Sequence, residues 1–171
     1  MKKKQNNNNR YVLNQSPLYK LRSRKKLASI LRTQLNELEK LAKQDDNYRI
    51  FNIHKDKGKP REINEPKPQL RRIQHRLFSL LRRISVPDYL HSGSKGKSYI
   101  SNAEAHVGHT ALIKLDITKF FPSTKYWHTV DFFKNTMKCS PDVAGLLTNL
   151  LTCNGHIPTG SSISQFIGWY L

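Results

Sequence analysis

Acidic residues are scarce: twelve Asp and Glu stand against thirty Lys and Arg, for a formal charge of +18 and a pI near 10.1. Simple solubility is the plain explanation, but the imbalance points first to a polyanionic partner, with nucleic acid fitting best. Long apolar runs are missing too. None approaches the roughly 18 residues of a membrane span, and the start "MKKKQNNNNR" leads into no apolar signal-peptide core. A cytoplasmic protein is expected. Cysteine is nearly absent: Cys139 and Cys153 lie in helical patterns without metal-ligand spacing, which suits small core residues better than ligands or a disulfide. With 171 residues and 19.9 kDa there is room for one domain or two small lobes sharing a core, not for a large enzyme. No internal repeat is present.

The first 26 residues hold nine basic side chains, no acid and an Asn run without periodicity, so a mobile or loosely docked arm is expected there. Leu27, Ile30, Leu31, Leu35, Leu38 and Leu41 have the spacing of one amphipathic helix over residues 27 to 43. "YRIFNIHKDKGKPREINEP" reads as a basic hairpin: a strand from about Tyr48 to His54, a turn at Asp56 to Gly58, and a strand through Arg61 and Ile63. Pro66 and Pro68 open a helix whose apolar face is Leu70, Ile73, Leu77, Leu80, Leu81 and Ile84, with Arg71, Arg72, Arg76, Arg82 and Arg83 largely opposite. A Gly/Ser-rich loop, "HSGSKGKS", precedes "HTALIKLD", which reads as a buried strand ending at Asp116. Helices are expected at about Tyr126 to Met137, after a Ser140 cap with Pro141 in the first turn, and over "SSISQFIGWYL". That last helix breaks off without a cap, as if the domain continued. The class is α/β or α+β with an incomplete sheet.

"KLDITKFFPS", residues 114 to 123, places one carboxylate at the end of an apolar run and two phenylalanines just after it. A strand-end Asp beside a turn is where open sheets meet ligands, although a lone Asp is more often a turn or cap residue. Further on, "HIPTGSSISQ" puts Pro158, Thr159 and Gly160 ahead of small residues that open a helix. The glycine permits close backbone approach there. Alone, either stretch is weak.

Together and in this order they resemble the reverse transcriptases of bacterial retrons and group II introns, over roughly residues 48 to 171. The resemblance implies right-hand polymerase fingers and a partial palm: residues 1–26 as a basic arm, 27–105 as fingers, and 106–171 as the first part of the palm. It implies that Asp116, with the backbone carbonyl of Ile117, binds Mg²⁺, a hard cation suited to oxygen ligands. Phe121 falls where the family has an aromatic gate against the ribose 2′-hydroxyl; Phe120 is expected in the core. Arg61, with Lys55 or Lys59, matches the hairpin pair that grips the incoming triphosphate, the arginine as a planar fork and the lysine as a point charge. Pro158, Thr159 and Gly160 match contacts to the nascent base pair and nucleotide. "HSGSKGKSYISNAEAH" resembles a retron segment, and with "PKPQLRRIQHRLFSLL" it yields expected nucleic-acid contacts at Arg71, Arg72, Arg76, Lys95, Lys97 and Asn102.

The family's second metal motif, an aromatic, any residue, then Asp-Asp, is absent. The resemblance therefore implies an RNA-directed DNA polymerase portion that needs an RNA template, a DNA or RNA primer, a dNTP and a further palm half, and that does not polymerise alone. Two alternatives stand beside it: a non-catalytic RNA-binding remnant, and a template-independent polymerase of phage defence.

Overall fold

Leucine spacing decides where the helices fall in the computed structural model, which describes residues 10–54, 60–92, 94 and 96–170. Helices α1 (Arg24–Leu31) and α2 (Leu35–Lys43) precede the strands β1 (Tyr48–Ile53) and β2 (Arg61–Pro66), and α3 (Pro68–Leu81) follows directly. After a long connection come the short α4 (Tyr99–Glu104), a single turn α5 (Phe120–Ser123), α6 (Tyr126–Asp131), α7 (Pro141–Leu151) and α8 (Ser164–Tyr170). The strands pair antiparallel, with Tyr48 opposite Pro66 and Ile53 opposite Arg61. They form the only sheet among the described residues. This is an α+β arrangement, as expected.

The core is a helical layer. Leu27 and Leu31 of α1, Leu38 of α2, Leu70, Ile73, Leu77 and Leu81 of α3, and Val143, Leu147 and Leu150 of α7 are all buried. The α3 stripe is the one read from the sequence, and Pro68 stands in its first turn, where a missing N–H costs nothing. Cys139 and Cys153 are buried and unpaired, as expected, and burial pushes the Cys139 thiol up to about 11.

Four expectations need correction. Residues 27 to 43 are two helices, not one: Arg32 turns left-handed at φ 59°, and its N–H returns to the carbonyls of Ala28 and Ser29, ending α1. The break lets α2 pack on α7 as well as on α1. Residues 10 to 26 are no loose arm. Leu18 and Leu21 are buried, Tyr11 exchanges backbone hydrogen bonds with Arg83 and Ser85, and Ser140 N–H donates to the Leu21 carbonyl; apolar burial outweighs the basic composition there. The helix expected to Met137 passes into a π-helical turn at Phe132–Thr136, a wider turn that accompanies burial of both neighbouring phenylalanines.

The fourth correction bears on function. Residues 109 to 117 form no strand, and Ile113, Leu115 and Ile117 are 82%, 88% and 66% exposed. Extended backbone becomes a buried strand only against a neighbour that takes its N–H and C=O groups. Among the described residues nothing hydrogen-bonds to 110 to 117.

Candidate nucleotide-binding site

Three separate stretches wall one open cavity of about 1040 Å³, counted out to its mouth. Pro60, Arg61, Glu62 and Asn64 come from β2 and its approach, Lys119 to Pro122 from the α5 turn, and His156 and Thr159 from the segment before α8. The sequence expected Arg61, Phe121 and Thr159 at one site, and the fold brings these three together.

Local chemistry explains the arrangement. Asn64, 1% exposed, uses its backbone and its side chain on the same residue. Its N–H donates to the Thr159 carbonyl at 2.6 Å, and its Oδ1 accepts from the Thr159 N–H at 3.2 Å. The turn at 158 to 160 is thereby laid against β2 as a short substitute strand. Gly160 makes this approach possible: it has φ 116°, and a Cβ there would stand 2.9 Å from the Ile63 methyl Cγ2. The close contact that this glycine serves in the structure is with the hairpin.

A second buried residue, Gln74, ties the same turn to the helical layer. Its Nε2 donates to the Tyr48 hydroxyl and to the Leu150 carbonyl, each at 2.8 Å. Its Oε1 accepts from Ser161 Oγ at 2.7 Å. Burial pushes the Tyr48 phenol far above its ordinary range, so it remains a neutral partner. Ser164 Oγ closes the turn by donating to the Pro158 carbonyl at 2.8 Å.

The aromatic wall is held from behind. Lys119 adopts φ 51° and starts the α5 turn. Thr124 donates its hydroxyl to the Phe120 carbonyl at 2.9 Å, and its own carbonyl accepts from the Ile157 N–H at 3.0 Å. Phe120 and Phe121 meet edge to face at 5.4 Å. Phe120 presses on Gly168 so tightly that a Cβ there would lie 2.5 Å from the ring. Both rings are half-buried; Phe120 also lines the cavity, so it is not simply a core residue.

Arg61, Lys119 and His156 face one carboxylate, Glu62, in this lining. The balance favours an anion. His156 Nδ1 lies 3.0 Å from the Ile157 carbonyl; a carbonyl only accepts, so this nitrogen is assigned a proton. Sequence reasoning missed Lys119, His156, Asn64 and Gln74. A signal existed for Gln74, a polar residue four after Leu70 and three before Leu77 on the apolar stripe.

Other expected residues lie apart from the cavity lining. Pro158 is buried and Gly160 exposed beside Thr159. Arg71 is paired with Glu65 at 2.7 Å, Arg72 is exposed, and Arg76 Nε donates to the Ile30 carbonyl at 3.1 Å, bracing α1. Lys97 Nζ donates to the Asp88 carbonyl at 2.8 Å, and Asn102 is exposed on α4. Lys55, Lys59 and Lys95 fall outside the described residues.

Asp116 and Ile117 lie on the exposed segment and do not line the cavity. A carboxylate and an adjacent carbonyl are hard oxygen ligands. Among the described residues, however, no group of three or more His, Cys, Asp or Glu is gathered to hold a metal.

Comparison with known proteins supplies the class. No protein-family model matches the chain. It is 36% identical to the retron Se72 reverse transcriptase of Salmonella heidelberg (strain 579083-10) over 161 residues, 93% of this chain and 42% of that relative. It is 27% identical to the retron Ec48 reverse transcriptase of Escherichia coli over 157 residues, 83% of this chain and 38% of that protein. A retron Mx162 reverse transcriptase of Myxococcus xanthus matches at 35% over 81 residues. The chain is related to reverse transcriptases. The relatives that it matches are retron reverse transcriptases, and it spans about two-fifths of the length of those that it matches along most of its sequence. No helix among the described residues is long and apolar enough to cross a membrane.

Proposed function

We propose that this chain is the nucleotide-gripping portion, fingers and first part of the palm, of an RNA-directed DNA polymerase. The observation that carries this reading is the convergence of Arg61, Phe121 and Thr159 on one cationic cavity. Arg61 and Lys119 would hold triphosphate oxygens, as forks and point charges do. Phe121, braced by Phe120, would stand against the sugar and exclude a 2′-hydroxyl by volume. Thr159, fixed to Asn64, would bear on the base pair. The division into fingers, 27–105, and first part of the palm, 106–171, follows the same reading, as do an RNA template, a DNA or RNA primer and a cytoplasmic setting.

In the complete enzyme the primer 3′-hydroxyl attacks the nucleotide α-phosphate and pyrophosphate leaves. Mg²⁺ is the cofactor we assign to that enzyme, with Asp116 as one ligand and the remaining carboxylates supplied from outside this chain. The 171 residues alone are then inactive. The alternation of residues 113 to 117 supports the placement: Ile113, Leu115 and Ile117 fall at one parity of an extended segment, and Lys114 and Asp116 at the other.

The test is titration of the chain with a fluorescent dNTP and its ribonucleotide counterpart. Arg61→Ala should weaken both about tenfold, the loss of one charge-assisted contact, and Phe121→Ala should narrow the preference for the deoxy sugar. Equal binding by wild type and Arg61→Ala would remove the basis of the proposal. One observation favours a second reading, a non-catalytic RNA-binding protein: the chain's charge of +18 suits an RNA partner with or without a metal. Salt-sensitive RNA binding that ignores Asp116→Ala, in a chain that binds no dNTP, would select it.

A further inference from the structure

A second cleft, of about 510 Å³ counted out to its mouth, opens between the C-terminal end of α3, the connection after it, and α8. Phe78, Phe166 and Trp169 form its aromatic side, with Phe78 and Phe166 edge to face at 6.4 Å. The Arg82 guanidinium lies 5.8 Å from the centre of the Phe78 ring. Arg10 supplies a second guanidinium, and among the described residues no acidic side chain lines the cleft. Across the opening Gln165 Nε2 donates to Ser92 Oγ, and Ser94 and Ser162 add hydroxyls.

We propose that this cleft binds an unpaired nucleobase of single-stranded RNA. Each component fits. Aromatic faces and a guanidinium plane stack on bases, and an amide with hydroxyls can meet a base edge, which is how single strands are read. Two arginines at an acid-free cleft match a flanking phosphate, and the chain's charge of +18 favours such a strand overall. An apolar peptide would gain nothing from the arginines and would leave the Ser94 and Ser162 hydroxyls of the cleft without water. The placement is also suitable. Ser162 of this cleft lies three residues after Thr159 of the nucleotide cavity, so the turn at 158 to 161 separates the two sites. A base held here lies beside the nucleotide cavity without occupying it. The inference requires a nucleic-acid partner and does not require polymerisation.

The chain carries its own reporter. Of its two tryptophans, Trp127 lines a different cavity, so Trp127→Phe leaves Trp169 as the sole emitter. In that background, a labelled ten-nucleotide single-stranded RNA is followed by anisotropy for binding and by Trp169 emission for occupancy of the cleft. The expected result is quenching that tracks binding, with little quenching by an abasic strand at equal saturation. Phe166→Ala should weaken binding about tenfold, the cost of one lost stacking contact. Arg82 is exposed, so Arg82→Gln tests the cleft without threatening the fold; it should weaken binding and lower the salt slope by about one. RNA bound with Trp169 emission unchanged, equal quenching by the abasic strand, or an apolar peptide that quenches Trp169 and resists displacement by RNA would each overturn the proposal. A chain that binds no RNA overturns it too, while the dNTP titration above would stand independently.

Discussion

Replacing Gln74 with methionine keeps the length of the side chain and removes three hydrogen bonds at once. The partners are the Tyr48 hydroxyl, the Leu150 carbonyl and Ser161 Oγ, and Tyr48, Gln74 and Ser161 are all at most 8% exposed. A buried polar group left without a partner costs about 1–3 kcal/mol. The Ser161 hydroxyl can rotate toward another acceptor and the Tyr48 oxygen still carries its own O–H, whereas the Leu150 carbonyl is fixed near the end of α7; about 1 kcal/mol for each of the three gives a total of about 3 kcal/mol. For a chain of this size, about 2–4 °C of melting temperature corresponds to each kcal/mol, so Gln74→Met should melt roughly 6–12 °C lower. The assay is thermal unfolding followed by far-ultraviolet circular dichroism, paired with urea titration. A cycle with Ser161→Ala should show a coupling of about 1 kcal/mol, because the residues are in direct contact. The dNTP affinity should fall as well, since the turn bearing Thr159 loses its tie to α3. A loss of stability below about 1 kcal/mol, or no coupling with Ser161, would refute the claim that Gln74 anchors the turn.

Gly160→Ala should destabilise the chain by about 1–3 kcal/mol, through a backbone at φ 116° and a Cβ 2.9 Å from Ile63; a stability equal to wild type in the same urea titration would contradict the close packing. The thiols should resist modification. With Cys139 buried and held up to about 11, an aromatic disulfide reagent at pH 8 should react with neither cysteine on the timescale of free thiol until urea unfolds the chain, and rapid native-state labelling would contradict their burial. Leu115→Lys should leave the melting temperature unchanged within about 0.5 kcal/mol, since an 88% exposed side chain buries nothing, while raising solubility; a large fall in melting temperature would show that the segment is packed.

Where local rules suffice, the sequence was legible. The α3 stripe from Leu70 to Leu81, the hairpin around residues 48 to 66 and the Pro141 start of α7 follow from apolar spacing and proline chemistry. Where two structures share one pattern, it was not. The leucines at 27, 31, 35, 38 and 41 suit one helix or two, and Arg32, without glycine's freedom, gave no sign of the left-handed turn that separates them. Residues 10 to 26 look basic and loose because their aliphatic members, Val12, Leu13, Leu18 and Leu21, are spaced without period, yet Leu18 and Leu21 are buried.

The same distinction divides the site. Arg61, Phe121 and Thr159 converge because contacts within this chain bring them together: Asn64 on Thr159, Gln74 on Ser161, Thr124 on Phe120 and Ile157. Asp116 depends on something different. A strand residue is oriented by its ladder, since a period of two assigns faces only after a neighbour has fixed the plane. Residues 113 to 117 have the alternation without the ladder, so their motif was readable while its geometry is unformed among the described residues. Grip and carboxylate are therefore separable in this chain. On the function proposed above, the cavity would bind an anionic nucleotide through Arg61 and Lys119 whether or not Asp116 is in place, and Asp116 would gain a role in catalysis only when a paired strand turns it toward that cavity.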